Sequence, residues 1–131
     1  MPTYRKYPPS IIKEPVSQIR KIRGFHSIRI SEPNAYAVLR GDKTATSVDK
    51  NMHIQKGDWI VFETYRDPTL GIGRCFNELD SLVFEVSHVS LLEACSPSIT
   101  VVCFRKIPGY SFHAGDINSE FKEDTIIKGK Q

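Results

Sequence analysis

Two glycines bracket the stretch that most constrains what this chain can fold into. Residues 41–58 read Gly-Asp-Lys-Thr-Ala-Thr-Ser-Val-Asp-Lys-Asn-Met-His-Ile-Gln-Lys-Gly-Asp. Gly41 follows Tyr36, Val38 and Leu39, which lie among helical positions. Glycine just past such a run ends a helix, because it takes positive φ without a Cβ clash. Gly57-Asp58 then leads into Trp59-Ile-Val-Phe, which reads as a turn into a buried strand. Between a helix that stops and a strand that starts sit Lys43, Thr44, Thr46, Ser47, Asp49, Lys50 and Asn51. That polar set suits a solvated loop, and it equally suits a loop that holds a ligand.

A length of 131 residues fits one domain with a core that needs no metal or disulfide. No apolar run approaches the roughly 20 residues that span a bilayer, and the polar opening Met-Pro-Thr-Tyr-Arg-Lys is no signal peptide. The expectation is a cytoplasmic protein without a membrane partner. Cys75, Cys95 and Cys103 are odd in number and widely spaced, and His26, His53, His88 and His113 are equally scattered. This pattern gives no metal site and calls for no cofactor. The net charge of +3 is uneven: before Phe25 there are Arg5, Lys6, Lys13, Arg20, Lys21 and Arg23 against Glu14 alone. From His26 to Arg105 acids slightly exceed bases, and beyond that the two balance.

The chain divides accordingly into a basic N-terminal arm with a short helix (1–25), a barrel-forming body (26–105) and a C-terminal tail (106–131). In the arm, Glu14-Pro15 looks like a helix start, Ile12, Val16 and Ile19 recur at helical spacing, and Gly24 closes the helix. Arg20, Lys21 and Arg23 complement its dipole and are candidate nucleic-acid contacts. His26-Ser-Ile-Arg-Ile alternates as a half-buried strand does, and Ser31 caps a helix with Pro33 in its first turn. Trp59–Tyr65 is a strand with Trp59, Val61 and Glu63 on one face and Ile60, Phe62 and Thr64 on the other. Arg-Asp-Pro-Thr-Leu-Gly-Ile-Gly after it is turn chemistry for a hairpin. Leu82–Val89 and Ile99–Phe104 are the remaining strands, and residues from Ile107 onward read as a surface tail anchored by Tyr110, Phe112 and Phe121. The fold class is mainly β with short helices (α+β), as in a small, partly open β-barrel.

The pattern Gly41-x-Lys43-Thr44-x-Thr46, a short polar stretch, then Gly57-Asp58 and an apolar strand resembles the signature of ASCH domains, small barrels of the PUA-like superfamily. The resemblance covers roughly His26 to Phe104. Many ASCH domains carry Gly-x-Lys-x-x-Glu-x-Arg here, whereas this chain has Thr46 and Val48 at the glutamate and arginine places. Lys43-Thr44-Ala45-Thr46 matches the Lys-Thr-x-Thr of ASCH proteins resembling bacterial amidohydrolases for acetylated cytidine.

The resemblance implies recognition of RNA or a nucleoside in a cleft beside residues 41–51. Lys43 would meet a phosphate, while Gly41, Thr44, Thr46, Ser47 and Asn51 would contact base edges or ribose. Tyr36 or Tyr65 would stack on a base, with Lys50 and Lys56 on the rim. The alternative it implies is an amidohydrolase removing an acyl group from acetylated cytidine. Lys43 would then be the base, Thr46 the nucleophile and Glu93 the carboxylate, with Glu85 and Glu63 as other candidates. Lys43 and Thr46 are an odd number of residues apart, so an extended backbone would point them to opposite faces. A third class, a protein-interaction module of accessory or viral kind without ligand chemistry, fits the basic arm and the tail.

Overall fold

The computed structural model describes residues 12–93 and 99–129. Cys95 and, of the basic N-terminal residues, Arg5 and Lys6 fall outside them. The chain is a mixed, β-dominated fold with short helices, built on one eight-stranded sheet that is not closed into a true barrel. The strands are β1 (Ile12–Pro15), β2 (Phe25–Ser31), β3 (Ala45–Val48), β4 (Trp59–Asp67), β5 (Ile72–Cys75), β6 (Leu82–Leu92), β7 (Ile99–His113) and β8 (Thr125–Lys128). Their order is β1-β8-β7-β6-β4-β2, with β3 added to β7 and β5 to β4. All pairs are antiparallel except β2 with β4. A parallel pair needs a crossover, and here the crossover contains helix α2 (Glu32–Arg40) and β3.

The local signals around α2 act as their chemistry dictates. Ser31 Oγ accepts from Asn34 N at 3.4 Å, Pro33 sits in the first turn, and Gly41 ends the helix at φ +82°. Ala35 and Val38 face the core. The alternation along β4 divides two apolar clusters. Ile60 and Phe62 belong to the larger one, with Ile28, Val38, Val86 and Val102. Val61 belongs to the other, with Val16, Ile19, Phe25, Val83 and Ile126. In the larger cluster Phe62, Phe84 and Phe104 meet edge to face, their centroids 5.2–5.3 Å apart. Each such pair adds about 0.5–1.5 kcal/mol beyond the area it buries.

The two ends of the chain differ from the sequence expectation. Ile12–Pro15 is not helical but pairs with β8, so the helix α1 is only Val16–Ile19, beginning after Pro15. Strand β7 does not stop at Phe104; it runs on through 105/106 to His113. Its first half lies between β3 and β6 and its last residues pair with β8. The ladder to β6 skips from Lys106 to Ser111. Pro108, which has no N–H to give, and Gly109 at φ +82° occupy that irregular step. A proline and a glycine read in sequence as the end of a strand, and here they let one strand change partners.

The parallel pair is fixed at its start by a buried side chain, Asp58. Its carboxylate accepts from Gly24 N (3.2 Å), Gln55 N (2.9 Å) and His26 Nε2 (2.8 Å). A Cβ on Gly24 would run into this carboxylate. Asp58→Ala strands three donors in a part-buried site, and we expect a loss of about 3 kcal/mol or more in urea unfolding. Gly24→Ala should be destabilising in the same assay, since neither strand start can move away. A change under about 1 kcal/mol for Asp58→Ala would show that the carboxylate does not fix the pair.

Candidate functional site

Helix α2 ends at Gly41 and the chain turns at once into β3. Asp42 and Lys43 both donate backbone N–H to Ala37 O, at 2.9 and 3.1 Å, which folds this turn back on the helix. Phe104 N donates to Thr44 O at 3.0 Å, extending the β3–β7 ladder by one step. The turn is thereby held against the larger apolar cluster, and a cleft of about 460 Å³ opens beside it. Its apolar wall is Val38, Leu39, Leu82, Phe84 and Phe104. Its polar groups are Arg40, Lys43, Thr44, Glu78, Arg105 and Lys106.

Four cations therefore surround one carboxylate. Arg40 Nε lies 2.9 Å from Asp42, and Arg105 Nη2 lies 3.0 Å from Glu85, so both are already paired. Among the described residues Lys43 and Lys106 have no carboxylate partner within 4.0 Å. Lys43 is half-buried. Two lysines over an aromatic wall can hold an anionic group attached to a flat ring.

The structure brings Gly41, Lys43 and Thr44 to this cleft and leaves the other expected site residues elsewhere. Thr46 is paired with Val102 inside β3, on the same strand face as the buried Val48. Ser47 is exposed on the other face, and Asn51 is exposed with its backbone N–H on Asp49 Oδ1 at 2.8 Å. Glu93 is exposed just past β6. Tyr36, 45% exposed, donates to Glu32 on its own helix at 3.4 Å. Tyr65 lies between the guanidiniums of Arg29 (5.1 Å) and Arg74 (5.6 Å) and donates to Glu63 at 3.3 Å. Lys56 is exposed beside Gly57 and Ser87, away from the cleft.

In the basic arm, Arg23 lies 4.6 Å over the Trp59 ring and donates to Gly57 O at 3.3 Å. Arg20 lies 5.9 Å over Phe25, and Lys21 is exposed. Arg20 and Arg23 thus both contact aromatic rings of the fold. Residues that the sequence reading did not single out are Phe84, Phe104, Arg105, Lys106 and Glu78. Alternation along the two expected strands could have set Phe84 and Phe104 on inward faces. Nothing local signals that Arg105-Lys106 faces the Gly41 turn.

Among the described residues no group of three His, Cys, Asp or Glu side chains could hold a metal ion. None of their helices is long and apolar enough to cross a membrane. Comparison of the sequence with models of known protein families and with curated proteins finds no match.

The cleft depends on the sharp exit from α2 at Gly41. A Cβ there would meet nothing within 4 Å, so substitution acts on the backbone alone. Gly41→Ala should cost about 1–2 kcal/mol in thermal or urea unfolding, the penalty of the left-handed conformation for an L-residue. Gly41→Asn should recover part of that loss. Equal stability of all three proteins would mean that the turn can rearrange.

Proposed function

We propose that this chain is an RNA- or nucleoside-binding domain of the ASCH type, a small, partly open PUA-like barrel, with its ligand in the cleft beside residues 41–51. The observation that carries this reading is the make-up of the cleft. Phe84 and Phe104 lie in its wall, Lys43 and Lys106 stand beside it, and Thr44 lies between turn and strand. Phe84 and Phe104 are each 5% exposed, so they back the wall from the core. A base can lie against that apolar wall, a phosphate can face the lysines, and the threonine hydroxyl can meet a ribose or base edge. The chain order supports the same reading. Strand β2, helix α2, the Lys43-Thr44 turn and Gly57-Asp58 before β4 follow the order of the ASCH pattern.

Titration calorimetry with cytidine 5′-monophosphate and cytidine tests this reading. The nucleotide should bind more tightly than the nucleoside, because only the nucleotide brings a charge to the two lysines. Lys43→Ala or Lys106→Ala should each remove about 1.5–3 kcal/mol from nucleotide binding, the range for hydrogen bonds to charged groups. Either change should leave cytidine nearly unaffected. With short RNAs, log K should fall with log salt by about 0.7 per phosphate contacted. Binding that ignores salt and both lysines, or no binding, would favour the protein-interaction alternative.

A further inference from the structure

On the opposite face of the sheet is a second cavity, of about 590 Å³, within the range of ligand sites. One of its walls ends in Phe76, directly after β5 and 81% exposed. We infer that Phe76 and this cavity extend the cleft, so that the ligand is a single-stranded RNA of three or more nucleotides rather than a lone nucleotide. This rests on the nucleotide-binding reading of the cleft.

Phe76 is one of eight large hydrophobic side chains exposed among the described residues, and exposure alone says nothing of a role. The cation beside its ring is what gives it a use. The Arg74 guanidinium lies 4.6 Å from the Phe76 centroid and 5.6 Å from that of Tyr65. Arg29 lies 5.1 Å from Tyr65. Strand register explains the series: Tyr65 is opposite Arg74 in β5, and Arg29 is opposite Glu63, two residues earlier in β4. Cations and rings alternate along one sheet face and end in a phenyl ring that is mostly open. A ring backed by an arginine is a platform on which any base can stack.

The cavity wall beside it holds polar groups that are paired only in part. Arg74 Nη2 lies 3.5 Å from Asp80 Oδ2, which also accepts from Asn77 N, while other atoms of these side chains have no hydrogen-bond partner. Arg74 Nε, Asn77 Nδ2 and Asp80 Oδ1 are three of five such buried side-chain atoms among the described residues. Across the cavity, His113 stacks on Phe121 at 4.7 Å. The lining also carries Glu63, Asp116 and Asp124, with no cation within salt-bridge reach among the described residues. Carboxylates repel a phosphate but accept from exocyclic amino groups of bases. The second cavity therefore takes a base, and bases with an amino group fit it better than uracil.

One short element links the two sites. In the 3₁₀ turn Glu78–Ser81, Glu78 lines the cationic cleft, while Asp80 and Ser81 line the second cavity. From Glu78 to Ser81 this turn rises three steps of about 2 Å, about 6 Å in all. At about 3.4 Å per step, the two steps between three stacked nucleotides cover that rise.

The experiment is fluorescence anisotropy competition with cytidine 5′-monophosphate and oligocytidylates of two, three and four nucleotides, using wild type, Phe76→Ala and Phe76→Trp. Wild-type affinity should rise about ten-fold or more on reaching three or four nucleotides, the size expected for one added stack. Phe76→Ala should lose that rise and keep the mononucleotide affinity, while Phe76→Trp should keep both. Oligouridylates should gain less with length. If mononucleotide binds but Phe76→Ala leaves the length dependence intact, the inference fails and the cleft reading stands. If neither mononucleotide nor oligonucleotide binds, both fail.

Discussion

The arrangement depends on how β2 and β4 are aligned, because no hairpin joins them and 27 residues separate them. A parallel pair formed at such a distance has its register set by contacts at its ends. Asp58 supplies them. Its side chain accepts from the residue before β2, from the second residue of β2 and from the loop ahead of β4. Its backbone C=O accepts from Val86 N at 2.8 Å, and Gly57 N donates to Val86 O at 2.8 Å, so β6 is tied to the same point. With Trp59 N on Gly24 O at 2.9 Å, Phe25 falls opposite Trp59. A slip of one residue would exchange Ile60 and Phe62 for Trp59 and Val61 between the two apolar clusters. That exchange would dismantle both, along with the phenyl wall of the cleft.

Both faces of the sheet are covered in part, and the two cavities lie where the cover stops. On one face α2 packs near Phe84 and Phe104 and leaves a gap at its C-terminal end, beside Gly41. On the other, Tyr110 and Phe112 pack against the smaller cluster, with Trp59 and Tyr110 edge to face at 5.2 Å. Beyond Phe112, toward Glu63 of β4 and Arg74 of β5, the second cavity opens. The charge follows this division. The Gly41 side sets Arg40, Lys43, Arg105 and Lys106 against Glu78, while the Phe112 side sets Glu63, Asp80, Asp116 and Asp124 against Arg20 and Arg74. The modest net charge of the whole chain hides two cavity linings of opposite net sign.

Sequence patterns within about ten residues of each other were legible. Ser31, Pro33 and Gly41 delimit α2, the alternation in β4 sorts Ile60 from Val61, and the turn residues after Arg66 make a hairpin with β5. What stayed illegible depends on partners far along the chain. Ile12–Pro15 has no strand pattern of its own and is a strand because β8, more than a hundred residues later, pairs with it. Residues from Ile107 onward read as a surface tail because they are rich in Gly, Ser, Asp and Lys; here residues 107–113 continue β7, and Pro108-Gly109 sits at a skipped step between two partners. The candidate site divides in the same way. Gly41, Lys43 and Thr44 were reached from the local pattern, whereas Arg105 and Lys106 reach the cleft only through the pairing of β3 with β7.

That pairing also governs what chemistry the Lys43-Thr44-Ala45-Thr46 segment can perform. Extended pairing begins at Thr44 O and continues through Thr46, which is opposite Val102 and shares the face of the buried Val48. Lys43 lies one residue before that ladder, where the chain leaves α2, and it lines the cleft that Thr46 does not. A base and a nucleophile must come within about 3 Å, and an odd offset along an extended segment separates them. Between Lys43 and Thr46, Thr44 O is held by Phe104 N at 3.0 Å. Phe104 is one of the three mutually packed phenylalanines, so this backbone bond ties the segment to the core and to the cleft wall together. Binding does not ask Thr46 to approach Lys43, because Lys43, Thr44 and Phe104 already lie around one cavity.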